Sequence, residues 1–322
     1  MIKGHGDDAY GYQGIRSDFS SNICMPAHRH KALMAHLASH PELIGHYPEP
    51  EAWTLETLLA ERHSIDPQCV IVTNGATDAI YLIAQTFRLK PVIPAPTFSE
   101  YADACACFKE EEERSMAWLC NPNNPDGKVY DAAFISRMTH EHHLLVLDHS
   151  YEHYTDSHLL TPRQGCQSGR IIQIHSFTKT YAVPGLRLGY ITAHESLTQA
   201  MRRFLRPWSV SALAIEAGKF LLAHDELQCR PDLAEAQRLR QQLLATGIEV
   251  APTQTNFMLC RTEGHTAADL KEYLATEHGM LIRDASNFQG LTPQHFRIAA
   301  QTPAENDALV AAIRQYQKER NQ

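Results

Sequence analysis

Between residues 70 and 192, short β-branched apolar runs alternate with longer stretches of helical periodicity. Val70-Ile71-Val72-Thr73 reads as a buried strand and Asn74-Gly75 as the turn leaving it. Ala76 to Phe87 reads as a helix with Ile80, Ile83, Ala84 and Phe87 on one face. Further strands are expected at 91–93, 116–120, 144–147, 171–174 and 188–192. Strands separated by helices or long crossovers imply an α/β fold with a mostly parallel sheet covered on both faces. From about residue 195 helical patterns take over, at 195–205, 211–223 and 232–245, with Gly247 as a stop. A long helix near 211–245 is expected to join two lobes. Strands at 248–250, 256–260, 281–283 and 296–299 then interleave with helices at 267–278 and 303–318. The expected division is an N-terminal arm with part of a small domain (1–45), a large domain (46–224) and a small α+β C-terminal domain (225–322).

Composition narrows the possibilities. With 322 residues, 43% hydrophobic and 20% charged, the chain has the balance of an ordinary globular protein and room for two lobes. A net charge of −8 and the lack of a basic stripe argue against nucleic-acid or anionic-membrane partners. Such a chain must gather its cations in one pocket to handle an anionic small molecule. Met1 to Asp8 has no apolar core and is acidic, so no leader is expected. No apolar run approaches the roughly 20 residues of a membrane helix. The eight scattered cysteines, without a CxxC pair, read as reduced thiols of a cytoplasmic protein. Among nineteen histidines the densest clusters are His28-Arg29-His30 and His140-Glu141-His142-His143. Neither has HExxH or zinc-finger spacing, so no metal is expected. The acidic run Glu110 to Glu113 reads as a solvated turn.

Ligands of open α/β sheets bind beyond the carboxyl ends of the strands. Gly75-Ala76-Thr77 opens a helix there, and free backbone N–H groups at a helix start favour an anion. Asp148 ends the apolar run Leu144 to Leu147, where a carboxylate is costly unless it meets a cation; a pyridinium N–H is one such cation, and a helix N-cap is the plainer role. Lys179 follows the strand Ile171 to Ile174, and an amine beside a phosphate and an aromatic ring suits imine formation. Arg187, eight residues on, has the fork to grip the same phosphate.

The string Ser176-Phe177-Thr178-Lys179-Thr180-Tyr181-Ala182-Val183-Pro184-Gly185-Leu186-Arg187-Leu188-Gly189-Tyr190 resembles the cofactor-lysine signature of class I/II aminotransferases, fold type I of the pyridoxal 5′-phosphate enzymes. The resemblance runs from Asp18-Phe19-Ser20-Ser21-Asn22 to Arg297, with the motifs in the family's order. It implies an enzyme whose large domain binds pyridoxal phosphate, with Lys179 as Schiff-base lysine and proton shuttle. It further implies that Asp148 pairs with the pyridine nitrogen, that Tyr151 and Asn124 hydrogen-bond the ring hydroxyl oxygen, and that Phe98 stacks on the ring. Gly75, Ala76, Thr77, Ser176 and Arg187 would hold the phosphate. Tyr47 resembles the tyrosine that reaches the phosphate from a neighbouring subunit, which implies a homodimer with shared sites. Arg297 resembles the arginine that binds the substrate's acidic group. Departures are Asp126 where Thr is usual, His149 where Glu or Gln is usual, and Phe98 in place of Tyr.

Within the family, Tyr47-Pro48-Glu49-Pro50-Glu51 is similar to histidinol-phosphate aminotransferases. His5-Gly6, Asp18 to Ile23 and Ile282 to Leu291 are similar to threonine-phosphate decarboxylases. Those enzymes begin with His-Gly-Gly, where this chain has His-Gly-Asp. Decarboxylation and transamination use the same ring-holding residues and differ in which Cα substituent stands perpendicular to the ring. Arg283 and Arg297 suit a carboxylate or a phosphate equally, and Arg283 also suits an ordinary ion pair. His5 and Lys3 would lie on an arm closing over the substrate. The decarboxylase reading leads, the aminotransferase reading follows, and a catalytically idle cofactor-binding module is the remaining alternative.

Overall fold

The computed structural model describes residues 9–24, 30–108 and 112–320. Its strands, in chain order, are β1 (Ser17–Asp18), β2 (Val70–Thr73), β3 (Leu89–Val92), β4 (Glu112–Cys120), β5 (Leu144–Asp148), β6 (Ile171–Ser176), β7 (Gly189–Ala193), β8 (Glu249–Val250), β9 (Phe257–Arg261), β10 (Met280–Leu281), β11 (Arg283–Asp284) and β12 (His295–Ala299). Six of them form the main sheet in the order β2-β7-β6-β5-β4-β3. Neighbours from β3 to β6 are parallel, and β7 alone runs against both its neighbours. The expected α/β architecture with a mostly parallel sheet is what forms. β2, β5, β6 and β7 are buried at every position, as continuous Val, Ile and Leu runs require when helices cover both faces.

This strand order brings the ends of β2, β4, β5 and β6 to one edge, since they point the same way. Three core clusters pack the sheet, one around Ile80, Trp118, Val146 and Ile174, one around Leu55, Val72, Leu188 and Ala217, and one around Leu119, Leu147, Ile135 and Met138. The reversed strand β7 begins at that same edge: Gly189 lies in register with both Thr73 and Ser176. There the backbones of three segments nearly touch. A Cβ on Gly189 would sit 2.8 Å from Ala76 N and from Gly75 C, and 2.9 Å from His175 O. Only glycine allows β7 to start so close to the β2 turn.

A second sheet, β11-β12-β9-β8, is antiparallel and packs on the helices Leu233–Leu244, Ala267–His278 and Pro303–Arg320 around Phe296, Leu274 and Ile313. The N-terminal segment joins this part of the molecule through β1, which pairs in parallel with β10. The turn after β4 is tied to it as well: Gln254 N donates to Gly127 O at 3.0 Å, and Val129 N donates to Gln254 Oε1 at 2.9 Å.

Three expectations need correction. The helix expected to run through 211–245 is two helices, Ala212–Leu222 and Leu233–Leu244. Between them Pro231 has no N–H to give, and Cys229 N turns aside to donate to Thr180 O at 2.6 Å. The strand expected at 281–283 splits, because Leu281 pairs with Asp18 while Arg283 pairs with Arg297. In the acidic run, Glu112 and Glu113 belong to the backbone of β4, not to a turn; Glu110 and Glu111 lie outside the described residues. Among the described residues no helix is long and apolar enough to cross a membrane.

Gly189→Ala is expected to destabilise the fold by roughly 1–3 kcal/mol through overpacking. Chemical denaturation checks this; an unchanged midpoint would mean that the strand ends can part freely.

Candidate active site

At the converging strand ends lies a cavity of about 380 Å³, walled by both sheets' connections. Ten residues singled out in the sequence line it: Ala76, Thr77, Phe98, Asn124, Asp148, Tyr151, Ser176, Lys179, Arg187 and Arg297. Most stand at a strand end or in the connection that follows it; Arg187 lies just before β7, and Arg297 comes from β12 of the second sheet.

Asp148 closes β5 and is buried. Its Oδ2 accepts from Tyr101 Oη at 2.7 Å and its Oδ1 from Ser150 N at 2.9 Å. Burial raises its carboxyl pKa, and these two donors work against that rise. No lysine or arginine among the described residues forms a salt bridge with it within 4.0 Å, although the charge of His175 also works to lower its pKa. Tyr101 itself is wholly buried and stacks on Trp118 at 5.6 Å, with Phe98 edge-on at 5.8 Å.

Lys179 sits in the single helical turn Phe177–Thr180 that follows β6. The turn is pinned at several points. Thr180 Oγ1 donates to Ser176 O at 3.0 Å, and Tyr154 Oη donates to Lys179 O at 3.0 Å. The Lys179 ammonium lies 5.7 Å from the centre of the Tyr151 ring. Burial pushes the Tyr151 phenol up to about 12, so it stays protonated at neutral pH; its oxygen accepts from Asn22 Nδ2 at 3.2 Å.

At the helix start after β2, Gly75 has φ of 86°, which glycine reaches without strain. A Cβ there would meet Arg187 Nη2 at 2.8 Å, so the bare backbone lets the guanidinium approach the helix N-terminus. Ala76, Thr77, Ser176 and Arg187 thus form a cradle of donors with positive potential, suited to a phosphate.

On the opposite wall Arg297 is buried. Nη1 donates to Asn124 Oδ1 at 2.6 Å and Nη2 to Ser20 O at 2.5 Å, while Nε has no partner among the described residues. Burial lowers its pKa to about 10, which leaves it cationic at neutral pH.

A profile of the aminotransferase class I and II family matches residues 106–313. The chain belongs to that family. The threonine-phosphate decarboxylase of Salmonella typhimurium is 30% identical to it over 92% of this chain and 90% of its own length. The solved L-threonine-O-3-phosphate decarboxylase of Porphyromonas gingivalis is similar, with 37% identity, a TM-score of 0.86, and 94% and 99% of the two chains covered. A histidinol-phosphate aminotransferase from Sinorhizobium meliloti, solved with pyridoxal-5′-phosphate, shares the fold at a TM-score of 0.77 and 20% identity, covering 94% and 90%. Family members are enzymes that work with pyridoxal phosphate. The cavity fits that cofactor on its own observations: a buried acid with no lysine or arginine salt bridge among the described residues, an aromatic face at Phe98, an amine, and a cradle that a Cβ at Gly75 would crowd.

Other residues named from the sequence lie elsewhere. Tyr47 is 86% exposed, outside the cavity, with its ring 5.7 Å from that of Trp208. Arg283 is buried opposite Arg297 on β11, off the cavity wall, and donates to Asn287 Oδ1 at 2.9 Å. His5 and Lys3 lie outside the described residues, as do His28 and Arg29. The sequence reading gave no site role to Asn22, Ser20, Tyr101 or Ser150. Asn22 and Ser20 stand in the segment 18–22 that carried the resemblance, and Tyr101, three residues after Phe98, had no signal of its own.

Tyr101→Phe leaves Asp148 Oδ2 without its donor, so the carboxyl pKa rises further. An acid whose folded pKa is raised loses stability as pH climbs through that value. In cofactor-free protein the variant is therefore expected to be less stable by roughly 1–3 kcal/mol at neutral pH. The loss should vanish below the ordinary value of 3.8, where the acid is neutral in both states. Denaturation curves at several pH values check this; a loss independent of pH would contradict it.

Proposed function

We propose that this chain is a pyridoxal-phosphate enzyme that decarboxylates O-phospho-L-threonine or a closely similar phosphorylated amino acid. The observation that carries the reading is Arg297. Its buried guanidinium is held by two neutral acceptors, Asn124 Oδ1 and Ser20 O, and has no carboxylate within salt-bridge distance among the described residues. A buried, uncompensated cation is costly, and a substrate carboxylate removes that cost. Similarity to the Salmonella and Porphyromonas decarboxylases, at 30% and 37% identity, supports the same choice.

The cofactor, when bound, takes up the electron pair left at Cα as a substrate bond breaks. Lys179 would hold it covalently. Asp148 would pair with its ring nitrogen, and Phe98 would cover one face. Gly75, Ala76, Thr77, Ser176 and Arg187 would bind its phosphate. Tyr151 and Asn124 would donate to its ring oxygen; Asn124 Oδ1 is engaged by Arg297, which orients the amide and links substrate grip to cofactor grip. Arg297 would orient the carboxylate so that the Cα–carboxyl bond stands upright, carbon dioxide leaves, and Lys179 Nζ delivers a proton to Cα. Arg283, behind Arg297, adds positive potential for a second anionic group.

In this reading residues 46–224 form the cofactor domain, 225–322 the small domain, and 1–45 the arm. Tyr47 would complete the phosphate site of a second subunit in a homodimer, and the compartment would be the cytoplasm. Histidinol-phosphate transamination remains the second reading, because one buried arginine also suits a phosphate.

Offered O-phospho-L-threonine alone, the holoenzyme is expected to release carbon dioxide. Glutamate formed from histidinol phosphate and 2-oxoglutarate, without that release, would favour the second reading instead. Arg297→Ala is expected to raise KM by about tenfold or more while cofactor absorbance is kept, since a charge-assisted pair contributes roughly 1.5–3 kcal/mol. Loss of colour in that variant would count against a substrate role.

A further inference from the structure

The turn after β5 and the end of β6 carry a second constellation that the cofactor reading does not use. His149, Glu152 and His175 bring one ligand-type atom each within 4.8 Å of one another. Each is adjacent in sequence to a cavity residue: His149 follows Asp148, Glu152 follows Tyr151, and His175 precedes Ser176. None of the three lines the cavity.

The geometry is that of a ligand set. His175 Nδ1 and Glu152 Oε1 are 3.1 Å apart. Two ligand atoms on one tetrahedral zinc, each at about 2.0–2.1 Å, lie about 3.3 Å apart, so this pair is already spaced for an ion. His175 Nε2 meets Thr192 Oγ1 at 3.1 Å, the kind of contact that fixes a ligating ring from behind. His149 is 1% exposed, and its Nε2 has no hydrogen-bond partner among the described residues. Leaving such a buried atom unsatisfied is costly. Its Nδ1 meets Gln173 Nε2 only at 3.4 Å, so coordination through Nε2, which moves the ring proton to Nδ1, gives up a weak contact. His153 Nε2 lies 3.8 Å from Glu152 Oε1 with its side chain 35% exposed, which offers a way in from solvent, and a water would complete four-coordination.

We propose that His149, Glu152 and His175 bind one divalent transition-metal ion of the zinc class, clasping the β5 turn to the end of β6. The ion replaces the hydrogen bond between His175 Nδ1 and Glu152, and the single proton of the neutral ring then sits on Nε2, facing Thr192 Oγ1. Two imidazoles and one carboxylate suit zinc, with cobalt as a spectroscopic stand-in, better than calcium or magnesium. The clasp holds Asp148, Tyr151 and Ser176 in one register from outside the cavity. It does not depend on which substrate the enzyme takes.

The test uses untagged holoenzyme, stripped with a chelator and dialysed against Zn²⁺ or Co²⁺. Wild type is expected to retain about one ion per chain by elemental analysis. The Co²⁺ form is expected to show intense four-coordinate ligand-field bands, at longer wavelength than cofactor absorbance. His149→Ala and Glu152→Gln should each weaken uptake at least tenfold while cofactor absorbance persists. A second group, His36, His40 and Glu216, is the built-in control, and His36→Gln/His40→Gln should leave uptake unchanged. The proposal is overturned if wild type retains no ion, or if the ion is lost with His36 and His40 and kept without His149. Should the His149 variant fail to fold, the Co²⁺ spectrum of the His36→Gln/His40→Gln protein decides: four-coordinate bands support the site, and their absence overturns it.

Discussion

A carboxylate at the closed end of an apolar strand is the constraint around which this molecule is arranged. Asp148 continues the run Leu144 to Leu147 and is as buried as they are, yet it faces a cavity. Tyr101 and Ser150 moderate the cost of its charge without removing it. In the proposed reading a protonated pyridine ring would supply a cation there and, so paired, would stay electron-withdrawing. The surrounding parts suit such a ring: an aromatic side chain, an amine on a pinned helical turn, and a cluster of donors whose glycine lets Arg187 come close.

The second buried charge, on Arg297, links the two sheets. It reaches from β12 to Asn124, in the turn after β4, and to Ser20 of the N-terminal segment. That segment also sends Asn22 to the Tyr151 hydroxyl. An anion arriving at Arg297 therefore meets a residue bonded to Asn124, and Asn124 itself lines the cofactor cavity. In the proposed reading, substrate binding and ring orientation would share this hydrogen-bond network, which would account for polar residues in an otherwise apolar interior.

Much of the sheet was legible because its signal is local. Buried parallel strands are short β-branched runs, and the residues just past them must sit at one edge whatever the loop details. The lysine string 176–190 carried the family because it packs an anchoring serine, the amine, the arginine and a close-approach glycine, Gly189, into fifteen residues. Features decided by tertiary contact were not legible. The separate helical patterns at 211–223 and 232–245 did mark both helices, but the path between them, where Cys229 N meets Thr180 O, and the split at 281–283, which depends on two different partner strands, carry no local signal. Tyr101 has no local mark of its bond to a residue 47 positions away. The dense histidine runs drew attention and yet disperse, with His140 on Ser136 O and His142 on Ser115 Oγ. The groups that do assemble draw on separated elements: His149, Glu152 and His175 come from two strand ends, and Glu216 joins His36 and His40.

The central claim is that Lys179 carries the cofactor through a carbon–nitrogen double bond. Borohydride reduction of the holoenzyme, followed by digestion and peptide mapping by mass spectrometry, reads that bond directly. A pyridoxyl group on Lys179 is the predicted result. Its appearance on another lysine, or on none, would contradict the account of the site.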